Sequence, residues 1–90
     1  MKVVKRSGNI VDFDQSKIEN AILKANNEVQ KSQRASKKEI EEIIEHIKSL
    51  NKDRMLVEDI QDIIEEKLMA YNHYDLAKEY IIYRYKRALV

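Results

Sequence analysis

The first thirteen residues, Met1-Lys-Val-Val-Lys-Arg-Ser-Gly-Asn-Ile-Val-Asp-Phe13, show most about the fold, because their residue pattern differs from that of the rest of the chain. Two short runs rich in β-branched residues flank Ser7-Gly8-Asn9, which contains the only glycine of the chain. Glycine supplies the positive φ that a tight hairpin turn needs, and asparagine tolerates this conformation next best. Residues 1–13 are therefore predicted to form a β-hairpin.

A helical pattern begins directly after the hairpin. Asp14 stands where a helix N-cap is expected, and an apolar stripe predicts a first helix over about 15–30. That stripe consists of Ile18, Ile22, Ala25 and Val29. Residues 31–35 lack an apolar period and indicate a linker. Ser36 and Glu39 then form the capping box of a second helix. This helix is predicted to end near Leu50-Asn51, and its apolar stripe consists of Ile40, Ile43, Ile44 and Ile47.

Two further helices complete the prediction. Residues 51–56 read as a loop, and a third helix starts at Val57 with acidic residues in its first turn, where the helix dipole favours them. Its stripe is Val57, Ile60, Ile63 or Ile64, and Leu68. A fourth helix over about 74–88 has Leu76, Tyr80, Tyr83 and Arg87 on one face and Ala77, Ile81 and Arg84 on the next. The predicted fold class is mainly α, a four-helix bundle over residues 14–90 capped by the hairpin.

Length and composition exclude several functions. Ninety residues form one domain or part of one, with no room for a deep reaction chamber. The chain has no Cys, and its two histidines have no ligand partner at metal spacing, so we expect no metal site. It lacks a long apolar run and a signal peptide, so we expect a cytoplasmic protein without a membrane partner. No phosphate-binding loop or nucleophile–base pair is present, which predicts a domain without catalytic residues.

The charges are segregated along the chain, although 17 Lys+Arg and 16 Asp+Glu leave a formal net charge of only +1. Residues 1–11 and 80–90 carry bases and no acid, whereas residues 39–66 are strongly acidic. If the two ends meet in space, they form one compact basic site. Such a site favours a small, highly charged anion over a long nucleic acid, which needs a broad basic face.

Five ordered blocks of sequence cover essentially the whole chain. They are Val4-Lys5-Arg6-Ser7-Gly8, Phe13-Asp14 with Lys17-Ile18, Val57-Glu58-Asp59-Ile60-Gln61-Asp62, Ala77-Lys78-Glu79-Tyr80-Ile81, and Tyr83-Arg84 with Arg87. Their combination resembles the ATP-cone family. ATP-cones are regulatory nucleotide-binding domains, found at the N-terminus of many ribonucleotide reductases and in the bacterial repressor of reductase genes. The resemblance implies one ATP-cone over residues 1–90, with the hairpin as a lid over a four-helix bundle.

The resemblance also implies which charged residues contact the nucleotide. Lys5 and Arg6 contact the triphosphate, and Arg87 joins them from the last helix; arginine suits forked phosphate contacts. Lys17 lies near the ribose and the phosphates. Asp14 accepts a hydrogen bond from the exocyclic amine of adenine.

The remaining implied contacts come from apolar and small residues. Gly8 fixes the turn of the lid, and Val4 belongs to the same motif. Ile18 gives the adenine an apolar floor, which Val57 and Ile60 close from the other side. We interpret the Tyr80–Tyr83 pair as bundle core rather than as a platform on which the base stacks.

Two positions depart from the family pattern. Val11 stands where some members have an acidic residue that helps to recognise the base, so Val11 can contribute only through its backbone. Gln61 stands where some members have His, and it is expected near the sugar or the phosphates.

The expected function is allosteric: the domain binds ATP or dATP, with Mg²⁺ held only through their phosphates, and regulates the activity or oligomeric state of a reductase. The ending of the chain resembles the anaerobic ribonucleoside-triphosphate reductase, and we expect a part of that larger enzyme, whose catalytic domain is the partner. Four alternatives remain open. The nearest is the cone of an aerobic reductase, and another is the cone of the repressor, whose four-cysteine zinc ribbon has no counterpart here. The other two are a helical nucleic-acid-binding module and a homo-oligomerisation module that uses Tyr85, Leu89 and Val90.

Overall fold

The computed structural model describes residues 1–88, and within them it contains four α-helices and a small β-sheet. The elements are β1 (Lys2–Val4), β2 (Ile10–Asp12), α1 (Gln15–Asn26), a 3-10 turn (Lys31–Gln33), α2 (Lys37–Ser49), β3 (Arg54–Leu56), α3 (Val57–Ala70) and α4 (Tyr74–Ala88). The mainly helical fold class and the order of the four helices agree with the prediction.

The predicted hairpin is present, but it belongs to a larger sheet. β1 and β2 pair antiparallel with Val3 opposite Val11, and Gly8 has the expected positive φ of 89°. β1 also pairs in parallel with β3, where Met55 lies opposite Val3. The prediction of a loop over residues 51–56 holds for residues 51–53 and was wrong for Arg54–Leu56, which form β3. The sheet has the order β2-β1-β3, and the hairpin is continuous with β3 rather than a separate two-stranded cap.

The two faces of the sheet have different roles. Side chains alternate along a strand, so the row formed by Val3, Val11 and Met55 faces the helices. Val3 and Met55 are buried in the core, and Val11 packs against it. Val4 belongs to the next row, whose side chains point to the opposite face, and its register partners Ile10 and Leu56 are exposed.

α1 begins as predicted and ends earlier than predicted. The Asp14 side chain caps the helix by accepting from the Ser16 amide at 3.0 Å. The helix ends at Asn26 rather than near residue 30, because the Asn26 side chain bonds both backbone groups of Ala35. Val29 lies beyond the helix end and still packs against the core.

The core lies between the helices, as their stripes predicted. α2 buries Ile40, Ile43, Ile44 and Ile47, and Asn51 follows it in a left-handed conformation with φ 52°. α3 buries Ile64 and leaves Ile63 at the edge of the core. α4 packs on both α1 and α3 through Leu76, Ala77 and Tyr80, whereas Ile81 is exposed. Among the described residues, no helix is both long and apolar enough to cross a membrane.

Glu39 connects the start of α2 to the turn before α4. Its Oε1 accepts from the Ser36 amide at 2.9 Å, completing the predicted capping box, and lies 2.9 Å from Nε2 of His73. Burial raises the pKa of the Glu39 carboxyl, but the hydrogen bonds from Ser36 and His73 outweigh it, so this pKa lies below its ordinary value of 4.5. The ionised carboxylate therefore stabilises the folded state.

Replacement of Glu39 by Gln is expected to make the stability less sensitive to acid. Because the pKa is lower in the folded state, the carboxylate contributes fully above about pH 4.5, and its contribution is lost as the pH falls through the folded pKa. Gln keeps the capping-box bond but replaces hydrogen bonds to a charged group by neutral ones, so we expect Glu39→Gln to lower the free energy of unfolding at pH 7 by about 1 kcal/mol. Urea denaturation at pH 7 and pH 3 measures both effects.

The exposed Glu41 provides the matched control on the same helix. Glu41→Gln should leave both the stability at pH 7 and its loss in acid close to those of the unmodified chain. Equal acid sensitivity of the Glu39→Gln variant and the unmodified chain would contradict the role given to this carboxylate.

Candidate functional site

A cavity of about 210 Å³ opens between the sheet and helices α1, α3 and α4. The hairpin closes one side through Val3, Lys5 and Val11. α1 contributes Ile18 and Ala21, and the apolar floor continues into the core through Ile60 and Ile64 of α3. The cavity is therefore formed by elements that are distant in sequence, and the hairpin is one of its walls.

Most of the residues predicted for the site line this cavity. They are Lys5, Val11, Asp14, Lys17, Ile18, Val57, Ile60, Gln61 and Arg87. They come from the hairpin, from the start of α1, from the first turns of α3 and from the last turns of α4. Apart from Val11, these residues belong to four of the five ordered blocks, which the structure thus brings to one place, although their roles toward a ligand remain predictions.

Three predicted residues do not line the cavity. Val4 points to the opposite face of the sheet, and Val3 occupies the wall in its place, since neighbouring residues of a strand alternate. Gly8 lies in the turn, and no atom lies within 4 Å of the position a Cβ would take, so its contribution is the positive φ. Arg6 lies beyond the lining and bonds Glu58 and Gln61 of α3.

Several lining residues were missed or interpreted differently. Missed were Val3, Asp12, Ala21 and Ile64, together with Phe13, which was quoted for its motif and given no role. The alternation of β1 contained enough information to choose Val3 over Val4. Tyr80 and Tyr83 are core residues, as interpreted, but both also line the cavity. Their rings are 6.3 Å apart and inclined at 36°.

Cations from three elements converge on the cavity. Lys5 comes from the hairpin, Lys17 from α1 and Arg87 from α4. Within residues 1–88 none of them has a carboxylate at ion-pair distance. The guanidinium carbon of Arg87 lies 6.0 Å from the ring centre of Tyr83, a cation–π distance that orients this side chain. The two basic chain ends thus meet at the cavity, as the charge pattern suggested.

Other basic residues of the chain ends have different partners. Lys2 pairs with Asp12, which is the first cause of the lowered pKa of the Asp12 carboxyl. Arg84 bonds Asp62 at 2.8 Å and Glu65 at 2.9 Å and so ties α4 to α3. Only part of the basic charge predicted for the site is therefore free to meet an anion there.

One of the two carboxylate oxygens of Asp14 makes no hydrogen bond to another residue within residues 1–88. Both hydrogen bonds from Ser16, one from its hydroxyl and one from its amide, go to Oδ1. These bonds, the hydroxyl first, lower the pKa of the Asp14 carboxyl, with a smaller contribution from the charge of Lys17. Oδ2 has no hydrogen-bond partner among the described residues, so an ionised acceptor lies at the cavity rim.

The backbone of Val11 is less available than predicted. The amide of Phe13 donates to Met1 at 3.0 Å and that of Lys5 to Asn9 at 2.8 Å, which marks these two pairs as hydrogen-bonded. Bonded and non-bonded pairs alternate in an antiparallel ladder, so Val11 and Val3 also exchange their backbone bonds. Val11 therefore meets the cavity with its side chain, and the prediction of a backbone contact to the ligand has to be corrected.

Residues 1–88 contain no group of three or more His, Cys, Asp or Glu arranged to hold a metal ion. The Tyr80 hydroxyl is a neutral donor at ordinary pH, because burial, followed by the charge of Glu65, raises its pKa. The cavity thus offers hydrogen-bond donors, cations and apolar walls.

The fold and the cavity describe a small helical domain with an open, cation-rimmed pocket beside a β-sheet. The chain belongs to the ATP-cone family, because the family model for the ATP cone domain matches residues 1–89. Members of this family bind ATP or dATP as allosteric effectors. The five ordered blocks found in the sequence thus identified the family correctly.

Similar proteins are reductases much longer than this chain. The ribonucleoside-diphosphate reductase subunit alpha of Chlamydia trachomatis is 36% identical over 100% of this chain and 10% of its own length. The vitamin B12-dependent ribonucleoside-diphosphate reductase of Thermoplasma acidophilum is 36% identical over 99% of this chain and 12% of its own length. The anaerobic ribonucleoside-triphosphate reductase of Haemophilus influenzae is 35% identical over 97% of this chain and 12% of its own length. The chain spans about a tenth of these relatives, and its similarity favours no one kind of reductase.

Proposed function

We propose that this chain is an allosteric domain that binds ATP or dATP in the cavity between the sheet and the helices and thereby regulates a ribonucleotide reductase. The observation that carries the proposal is the combination of free cations with apolar walls in one cavity. Lys5, Lys17 and Arg87 suit a triphosphate, and the wall around Ile18 and Ile60 suits a purine ring. A nucleotide needs both kinds of surface at once.

The parts of the nucleotide can be assigned to parts of the cavity. The base lies between Ile18 and Ile60, with its exocyclic amine directed to Oδ2 of Asp14. The triphosphate extends to Lys5 and Arg87 at the rim. Mg²⁺, where it accompanies the ligand, is held by the phosphates rather than by protein carboxylates.

The β-hairpin acts as the lid of this site, with its turn fixed by Gly8. The domain can respond differently to ATP and dATP only if it has two conformations and the two nucleotides differ in their relative affinity for them. Because the hairpin and α4 both contribute cations, a nucleotide that draws Lys5 and Arg87 together changes how these two elements sit against α3. Through this change, the effect of the bound nucleotide is transmitted to the catalytic part of the enzyme.

A homo-oligomeric role can accompany nucleotide binding. Tyr85 on the outer side of α4 is 65% exposed, which suits a contact with a second copy or with the rest of a reductase. Leu89 and Val90, the other two residues predicted for this contact, lie outside the described residues.

ATP is expected to stabilise the domain against heat more strongly than either adenosine or tripolyphosphate, the two parts of the nucleotide. A ligand present at 100 times its Kd adds about 2.7 kcal/mol of stability when it binds only the folded state. We therefore expect a clear rise in Tm with ATP and dATP, and smaller rises with adenosine or tripolyphosphate at equal concentration. Differential scanning fluorimetry with an added dye measures all four ligands.

Titration with a DNA duplex tests the main alternative, a nucleic-acid-binding module. A nucleic-acid-binding module predicts duplex affinity with a steep salt dependence and no change of Tm with ATP. That result would contradict the proposed function. Equal stabilisation by ATP and by tripolyphosphate would contradict the assignment of the apolar wall to the base.

A further inference from the structure

Arg6 connects the turn of the hairpin to the first turn of α3. Its Nη1 donates to Oε1 of Glu58 at 2.6 Å, and its Nη2 donates to Oε1 of Gln61 at 3.0 Å. Arg6 is the one cation implied for the phosphates that has a carboxylate partner within the described residues. We call the Arg6–Glu58 pair the latch, because it ties the hairpin to the helix beside the cavity.

Glu58 belongs to a helix segment that is itself anchored. Its backbone carbonyl accepts from Arg84 at 3.4 Å, and Arg84 also bonds Asp62 and Glu65. Because Arg84 ties α3 to α4 in this way, we expect opening of the latch to move the hairpin turn rather than α3. The side chains of Arg6 and Glu58 are 36% and 53% exposed, so water screens the pair and its contribution is small. A multiply charged anion can displace such a partner.

We propose that Glu58 is an internal competitor of the ligand for Arg6, so that the latch is closed in the empty domain and opens when phosphates take its place. This inference rests on the proposed function. The N–H of Nη1 that donates to Glu58 cannot at the same time donate to a phosphate, and the Glu58 carboxylate repels a phosphate that approaches the same guanidinium. Glu58 thereby raises the nucleotide concentration at which the domain responds, and it makes hairpin movement a condition of full binding.

Glu58→Gln is the direct test, measured by calorimetric titration with ATP. The variant keeps the length of the side chain and removes the competing charge. Exposed ion pairs contribute at most about 1 kcal/mol, so we expect ATP to bind about two- to fivefold more tightly. Adenosine, which has no phosphate, should bind the variant and the unmodified chain alike.

Two further variants separate the latch from a general charge effect. Asp59 lies beside Glu58 in the same first turn, is exposed and has no ion-pair partner in residues 1–88. Asp59→Asn removes the same charge and should change ATP affinity less than Glu58→Gln does. In an Arg6→Ala background, Glu58→Gln should lose its advantage over Asp59→Asn, because there is no guanidinium left to compete for.

The outcomes distinguish this inference from the function on which it rests. If ATP binds but Glu58→Gln matches Asp59→Asn, or keeps its advantage without Arg6, the latch is overturned and the proposed function stands. If ATP does not bind the unmodified chain, both are overturned. Amide hydrogen exchange gives an independent readout without ligand. The Gly8 amide, which donates to Lys5 at 2.9 Å, should exchange faster in Glu58→Gln, and an unchanged rate would argue against the latch.

Discussion

Asn26→Ala is expected to lower the free energy of unfolding by about 2–4 kcal/mol, because each buried polar group left without a partner costs about 1–3 kcal/mol. Asn26 is 7% exposed, and its side chain bonds both backbone groups of Ala35, donating to the carbonyl at 3.1 Å and accepting from the amide at 3.0 Å. Ala35 is 6% exposed, so water does not replace these bonds easily. Urea denaturation measures the loss.

Asn27 is the matched control for this prediction. It is the next residue, it is exposed, and it is the C-cap of the same helix. Asn27→Ala should change the stability by no more than about 0.5 kcal/mol. If the two alanine variants were equally stable, the side chain of Asn26 would not be what joins the end of α1 to the segment before α2.

Lys5→Ala combined with Arg87→Ala is expected to weaken ATP binding by at least about a hundredfold. Each removed side chain takes away a hydrogen bond between charged groups, worth about 1.5–3 kcal/mol, and 1.4 kcal/mol corresponds to a factor of ten. The two residues lie on different elements and meet only at the cavity. Calorimetric titration at fixed ionic strength gives the two affinities.

The control removes two charges from exposed side chains that do not line the cavity. Lys24 lies on α1 and Lys86 on α4, and within residues 1–88 neither has a carboxylate at ion-pair distance. Lys24→Ala combined with Lys86→Ala should stay within about threefold of the unmodified chain, since exposed charges at a distance are screened by salt. Equal losses in the two double variants would mean that net charge, rather than this cavity, holds the nucleotide.

Features that depend on neighbouring residues could be predicted from the sequence. The caps at Asp14 and Ser36 and the turn at Gly8 are each set by a few adjacent residues, and the structure contains all three. The apolar stripes of the helices gave the core for the same reason, because helical spacing is a local property.

Features that depend on distant residues were missed. β3 has three residues, Arg54 to Leu56, and becomes a strand only because β1 lies beside it. The early end of α1 has a similar cause, since Asn26 bonds Ala35 nine residues later. Neither partner can be recognised from the local pattern.

The site shows the same division. The charge pattern and the family resemblance together predicted one shared site for Lys5, Lys17 and Arg87, and all three line the same cavity; their binding of a nucleotide stays a prediction. They gave no indication that Glu58 binds Arg6, because that contact joins residues 52 positions apart. The choice of Val4 over Val3 is different, since the alternation of side chains along β1 would have corrected it.

Nucleotide binding in this cavity can be observed residue by residue when the isotopically labelled chain is titrated with ATP and its amide resonances are followed by NMR. We expect the largest shifts around the cavity, at Lys5, Asp14, Lys17, Ile60 and Arg87. Smaller shifts are expected at the surface of Lys48, Lys52 and Asp53, which lies outside the cavity lining. Unchanged resonances, or shifts that concentrate at that second surface, would contradict binding of ATP in the cavity.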